Sequence, residues 1–198
     1  QVRVVRESGD SVWRGPPGNR IPFALRESWL QLSAVHNRIE LQGLLESTRY
    51  GRVNLQGNAR VDVDRLRLDE GTPVSLSARG ELPQLSAFNA LLGPDLQLGG
   101  RVAFDVRREG LLKTSRLSGN IHGDDLSVRD LATGVNLNEG TIRMGLADQR
   151  IDLQQASFKG GQGSVQAEGV LDLREEMPAG RARISANRLT LISRSDML

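Results

Sequence analysis

Few residues in this chain have the type and spacing for bond-making chemistry, and His122-Gly-Asp124-Asp125 comes nearest. An imidazole and two carboxylates so close together are ligands that a divalent metal accepts. The same tetrapeptide also reads as a polar turn between two strands, and that reading is preferred because hairpins use such short polar turns. His36, the other histidine, lies far away in sequence, so neither histidine is assigned a site. Gly160-Gly161-Gln-Gly163 has the glycines of a phosphate cradle. It lacks the Lys-Ser/Thr ending and the helix whose first turn would hold the anion, so it reads as a β-turn. Glu175-Glu176 and Asp124-Asp125 are adjacent carboxylates, and neighbours in extended chain point to opposite faces, which does not suit a paired acid and base. Cysteine is absent, which removes thiolate nucleophiles, thiolate metal sites and disulfides together. The expectation is a protein that is not an enzyme, with no catalytic residue, no cofactor and no metal.

The elements that would carry any function are strands. A glycine followed by apolar residues at every second position begins at Gly57, Gly100, Gly140 and Gly180, at intervals of 43, 40 and 40 residues. About one such match is expected by chance at this composition, and intervals near forty residues are those of repeat architectures. Strands are expected near 2–6, 22–33, 38–47, 50–66, 73–81, 99–108, 115–122, 125–129, 140–147, 150–157, 163–173 and 181–192. Turn chemistry separates them at Gly15-Pro-Pro-Gly-Asn, Glu70-Gly71-Thr-Pro73, Arg108-Glu-Gly110, His122 to Asp125, Asn138-Glu-Gly140, Gly160 to Gly163 and Met177-Pro-Ala-Gly180. Breaks this short favour antiparallel meanders.

Apolar residues keep one parity: Val74, Leu76 and Ala78, then Ile142, Met144 and Leu146, with Arg143, Gln154 and similar residues facing the other way. Such alternation gives a sheet one dry face and one wet face. Parity slips between Val63 and Leu66 and between Ala186 and Leu189, which predicts bulges near Arg65 and Asn187. Leu85, Phe88, Leu91 and Leu92, closed by Gly93-Pro94, predict one short amphipathic helix over 84–92 that docks on the sheet or covers an open end.

The formal charge is +2, and arginines and carboxylates are dispersed along the strands with no basic run, so a nucleic-acid surface is not expected. Seven aromatic residues in 198 leave the dry face lined by aliphatic side chains. No apolar run is long enough to span a membrane as a helix, and no signal-peptide pattern is present. The chain starts and stops at strand-like runs, as a piece cut from a longer protein would. It reads as one repeat-built β segment over 1–198, with 108–114 as the place where it could divide.

From Leu111 onward, Leu117-Ser-Gly-Asn-Ile-His-Gly-Asp-Asp-Leu, Gly134-Val-Asn-Leu-Asn-Glu-Gly-Thr-Ile, Phe158-Lys-Gly-Gly-Gln-Gly-Ser-Val and Glu168-Gly-Val-Leu-Asp-Leu resemble the C-terminal region of the TamB family, the translocation and assembly module subunits of Gram-negative bacteria within the AsmA-like superfamily. Arg79-Gly-Glu-Leu-Pro-Gln-Leu-Ser-Ala-Phe-Asn-Ala-Leu-Leu-Gly-Pro-Asp-Leu is similar too, and the resemblance spans roughly 38–198. It implies an all-β, elongated, largely antiparallel sheet folded like a taco around an aliphatic groove. It also implies a periplasmic segment of a protein anchored in the inner membrane, which partners the outer-membrane barrel TamA and is implicated in phospholipid movement and outer-membrane protein assembly. The anchor helix and the terminal segment expected to meet TamA are not in this sequence.

The predicted groove lining is Val102, Phe104, Val106, Ile142, Met144, Leu146, Ile151, Leu153, Val165, Ala167, Leu171 and Leu173. Such a surface suits acyl chains held by many weak contacts, about 0.8 kcal/mol per buried CH₂. Three alternatives stand beside it. One is a scaffold whose strand edges augment incoming outer-membrane barrel strands; another is a closed β-sandwich whose dry faces pack together. The third is a carbohydrate-binding β module, disfavoured by the scarcity of aromatic platforms.

Overall fold

The computed structural model describes residues 2–6, 12–14, 20–22, 24–35, 37–60, 69–173 and 178–190. Among the described residues there are thirteen strands: β1 (Val2–Arg6), β2 (Val12–Arg14), β3 (Arg20–Pro22), β4 (Ser28–Val35), β5 (Arg38–Ser47), β6 (Gly51–Arg60), β7 (Pro73–Leu82), β8 (Leu96–Leu111), β9 (Arg116–Asp130), β10 (Val135–Ala147), β11 (Arg150–Gly160), β12 (Gly163–Asp172) and β13 (Ala179–Asn187). Eleven form one sheet in the order β1-β4-β5-β6-β7-β8-β9-β10-β11-β12-β13, every described pair antiparallel, while β2 and β3 form a separate hairpin. From β4 onward the strands follow chain order, an open meander that does not close into a barrel.

Local chemistry makes the turns. Ser47 Oγ accepts from the N–H groups of Arg49 at 3.1 Å and Tyr50 at 3.0 Å between β5 and β6. Asp130 Oδ1 accepts from Ala132 N–H at 2.9 Å and Thr133 N–H at 3.2 Å at the β9–β10 turn. Asp148 and Gln149, with φ of 48° and 67°, form the two-residue turn between β10 and β11, where positive φ matches the twist of the flanking strands.

The strand map departs from the sequence expectation where polar, glycine-bearing stretches prove to lie inside strands, two of the three as bulges, rather than at turns. The expected strands 115–122 and 125–129 are one, β9, and the predicted turn from His122 to Asp125 lies inside it, with Asp125 at φ 53°. Asn138-Glu-Gly140 lies inside β10, with Glu139 at φ 48° and register shifts on both sides of that strand, and Arg108-Glu-Gly110 lies inside β8. A bulge and a turn use the same residues, because both need a positive φ or an unpaired backbone group. The expected strand at 22–33 is instead Ser28–Val35, preceded by Ala24 at φ 45° and a single bridge between Leu25 and Ser47.

The bulge expected near Asn187 is absent: the β12–β13 ladder is regular to Asn187, and the parity change occurs at Arg188, with φ 46°, after the strand has ended. The one expected near Arg65, the turns from Gly15 to Asn19 and at Met177, and the pair Glu175-Glu176 lie outside the described residues, as does His36.

The helix expected over 84–92 is one 3₁₀ turn, Leu85–Phe88, followed by one α turn, Asn89–Leu92. Ala87 is buried and Phe88 meets Tyr50 edge-on, with ring centroids 4.9 Å apart, so the segment covers the sheet end at the β5–β6 turn. Leu91 and Leu92 do not join this contact and are exposed. The residues 108–114, expected as a dividing point, form the end of β8 and its turn into β9, and the sheet runs across them.

The described residues form no thick core. Among the described residues the buried apolar side chains are Leu44, Tyr50, Ala87 and Leu126, and none is fully buried. The chain exposes 13950 Å², whereas a compact chain of this mass exposes about 9200 Å². A sheet in a single layer leaves much of its surface in water, and the described strands form one eleven-stranded sheet beside the small β2–β3 pair rather than two packed halves, so the sandwich alternative is not what the described residues adopt.

Candidate functional site

The register of the ladders builds one apolar surface. Residues directly opposite each other in neighbouring antiparallel strands share a face. One row therefore runs Leu45, Val53, Gly80, Phe104, Ile121, Met144, Leu153, Gly169, Ala182 from β5 to β13. A second runs Leu30, Gly43, Leu55, Ala78, Val106, Gly119, Leu146, Ile151, Leu171, Gly180 from β4 to β13. A third runs Leu82, Val102, Gly123, Ile142, Ala156, Ala167, Ile184.

Of the predicted lining, Val102, Phe104, Val106, Ile142, Met144, Leu146, Ile151, Leu153, Ala167 and Leu171 stand in these rows. Val165 stands on the same face of β12, opposite Phe158 and Ala186. Leu173 falls one residue past the end of β12, where its N–H donates to Gln149 O at 2.8 Å, and it is exposed.

The prediction covered only part of the surface. Leu30, Leu32, Leu45 and Leu76 carry it across β4–β7 and are 41–45% exposed, and Ile121 fills its centre. Ile121 is absent from the predicted lining because Gly119 and Gly123 hold the neighbouring face positions, so the alternation of β9 reads as apolar and glycine rather than apolar throughout. These glycines have partners. A Cβ at Gly80 would sit 2.5 Å from Cε1 of Phe104, whose ring lies over that glycine. Large side chains laid over cross-strand glycines are a way to cover backbone without a second layer.

From β6 onward the opposite face is mainly polar and paired, whereas across β4 and β5 it carries Trp29 opposite the buried Leu44. Asp105 accepts from Arg79 Nε at 3.0 Å and lies 3.4 Å from Arg107 Nη2. The Arg79 hydrogen bond holds its carboxyl below the usual range, against some desolvation and with help from the Arg107 charge. Asp124 accepts from Arg143 Nη2 at 2.7 Å, and this bond likewise lowers its pKa, opposed by desolvation and aided by the charges of Arg143 and Arg101. Arg101 Nη1 lies 3.1 Å from Asp125. The carboxylates of the His122–Asp125 segment, read in the sequence as part of a polar turn, thus face guanidinium groups at a strand bulge.

Arg143, read as a plain outward residue, is more than that: its Nη1 also donates to Gly123 O at 3.1 Å and Ile142 O at 3.0 Å, tying β10 to β9 beside the bulge. One open depression on this polar face has a volume of about 670 Å³ and is flanked by Arg150, Asp152, Glu168, Arg181 and Arg183. The β-turn expected from Gly160 to Gly163 is present as the β11–β12 hairpin turn, with Gly161 at φ 61°.

What the apolar face can do is hold apolar matter. Among the described residues its three rows hold only apolar residues and glycine, with no polar side chain to orient one small molecule, and aliphatic side chains left half in water gain about 25 cal/mol for each Å² of apolar surface that a ligand covers. Comparison of the chain with protein-family models, with curated proteins and with solved structures finds no match in any of the three.

Proposed function

We propose that this chain is a periplasmic segment of a bridge-like lipid-transfer and outer-membrane biogenesis protein, of the kind its sequence resembles, and that its apolar face shields phospholipid acyl chains between the two membranes. The observation that carries this reading is the continuous apolar face from β4 to β13, half exposed and without a covering layer among the described residues. A soluble sheet of this size ordinarily buries such a face, since large contiguous apolar patches mark interaction sites. The bulges in β8, β9, β10 and β11 support a sheet that curls around this face into a taco-like groove, because bulges bend strands and increase their twist. The polar face, laced with arginine–carboxylate pairs, would then meet water.

The test is native mass spectrometry of the purified chain for bound phospholipid, together with a photo-crosslinker placed at Met144 or Leu153 and, as control, at Gln154 on the polar side. Lipid captured from the first two positions and not the third supports the groove. An apolar face that never captures lipid overturns it.

A further inference from the structure

Among the described residues, nothing pairs with the outer edge of β13. All nine residues from Ala179 to Asn187 are exposed, and Ile184, at 70%, is the most exposed of the large apolar side chains described. One side of β13 pairs with β12 without a register shift, and no described strand pairs with the other. The chain does not turn back along that free edge between 188 and 190. Arg188 takes φ 46°, and Thr190 N–H donates to Gly160 O at 3.1 Å, which carries the chain over the β11–β12 turn instead. Nine residues without proline, lysine or bulge lack most devices that keep an edge from pairing.

We propose that this edge pairs with β13 of a second copy of the chain, antiparallel, about a two-fold axis at Ile184. Identical antiparallel strands in one sheet are related by a two-fold axis normal to it, and cross-strand partners share a face, so the axis must pass through a residue. Three such axes, at Ala182, Arg183 and Ile184, keep at least seven of the nine residues paired. The axis at Ala182 sets Arg181 opposite Arg183 of the second copy twice over, and the axis at Arg183 sets two arginines face to face. Like charges directly opposite disfavour a strand pair. The axis at Ile184 sets that residue against its own copy, Ala182 against Ala186, Arg183 against Ser185 and Arg181 against Asn187. It alone avoids the arginine clashes and covers the exposed isoleucine, and it extends the apolar face unbroken across both copies. A single strand pair is a small interface, so the association is weak.

The chain has no cysteine, so single-cysteine variants report the register directly. Opposed Cα atoms in an antiparallel pair are about 4.5–5.5 Å apart, within disulfide reach. Ile184→Cys should oxidise to a covalent dimer. Ala182→Cys and Ala186→Cys should each stay monomeric alone and cross-link to one another when mixed. Ile184→Lys, at a site too exposed to disturb folding, should raise the dimer dissociation constant at least about tenfold in sedimentation equilibrium. Dimers from Arg183→Cys or Ala182→Cys alone would overturn the register. A chain that sediments as monomer at every concentration and gives no Ile184→Cys dimer would overturn the pairing itself, as would a dimer that Ile184→Lys leaves intact.

Discussion

The side-chain amide of Asn89 pairs with the backbone of Leu98 as a neighbouring strand would: its Nδ2 donates to Leu98 O at 3.2 Å, and its Oδ1 accepts from Leu98 N–H at 2.8 Å. Strand β7 ends at Leu82, which faces Val102, so the first residues of β8 run past their neighbour and leave an open edge. One asparagine on the helical connection closes that edge at Leu98. Asn89→Ala leaves both backbone groups without this partner and should cost about 1–2 kcal/mol. Hydrogen exchange should show faster exchange at the Leu98 amide, with the centre of β8 near Phe104 unchanged.

Met144 tests the apolar face. It stands between Ile121 and Leu153 in the central row and is only half buried. Met144→Asp should reduce lipid capture by at least about tenfold while the chain stays folded, because an open face lets water reach the charge where a closed core does not. Gln154→Asp, on the polar side, should leave capture unchanged. Arg143→Asp is not an equivalent control: it removes the guanidinium from Asp124 and sets two carboxylates together, so loss of stability is expected there instead. An unfolded Met144→Asp chain would mark the face as an ordinary core.

Gly119 tests the ladder beneath that face. Its φ is 142°, and a Cβ there would collide with the Asp105 carbonyl oxygen and lie 2.8 Å from Val106 Cα, both backbone atoms of the neighbouring strand. Gly119→Ala should destabilise the chain by about 1–3 kcal/mol, since backbone in a paired strand cannot give way without losing hydrogen bonds. Thermal unfolding measures it. Gly71→Ala, where an added Cβ meets nothing, is the matched control.

Acid should weaken the polar face. Asp105, Asp124 and Asp130 all have folded-state pKa values below the ordinary 3.8. Groups depressed on folding contribute their stability fully above the unfolded value and lose it as pH falls through the folded one. The melting temperature should therefore fall as pH drops below about 4. Carboxylate NMR titration of Arg143→Gln should move the Asp124 midpoint back toward its ordinary value, because the Arg143 hydrogen bond is the largest cause of the shift.

The alternation of Ile142, Met144 and Leu146, of Ile151 and Leu153, and of Val102, Phe104 and Val106 determined by itself that these strands have one dry face, since side chains in a strand alternate whatever they pair with. Short polar breaks likewise determined an antiparallel order, because only a crossover of a dozen or more residues can make neighbours parallel. Which breaks are turns was a different matter. His122 to Asp125 and Asn138 to Gly140 have turn composition, and only the pairing of β9 with β8 and β10 made them bulges inside long strands. The forty-residue repeat was partly misleading for the same reason. Gly57, Gly100 and Gly140 open or lie in alternate strands β6, β8 and β10, but Gly180 lies in β13, three strands after β10 and running the opposite way. Tertiary structure also decided that Leu91 and Leu92 face solvent while Asn89 reaches β8, and that Ile121 joins the lining through a strand whose glycines hid it. Periodicity is a property of one segment and survives in the sequence. Register, edge closure and the absence of a second layer are relations between segments, settled only when the strands meet.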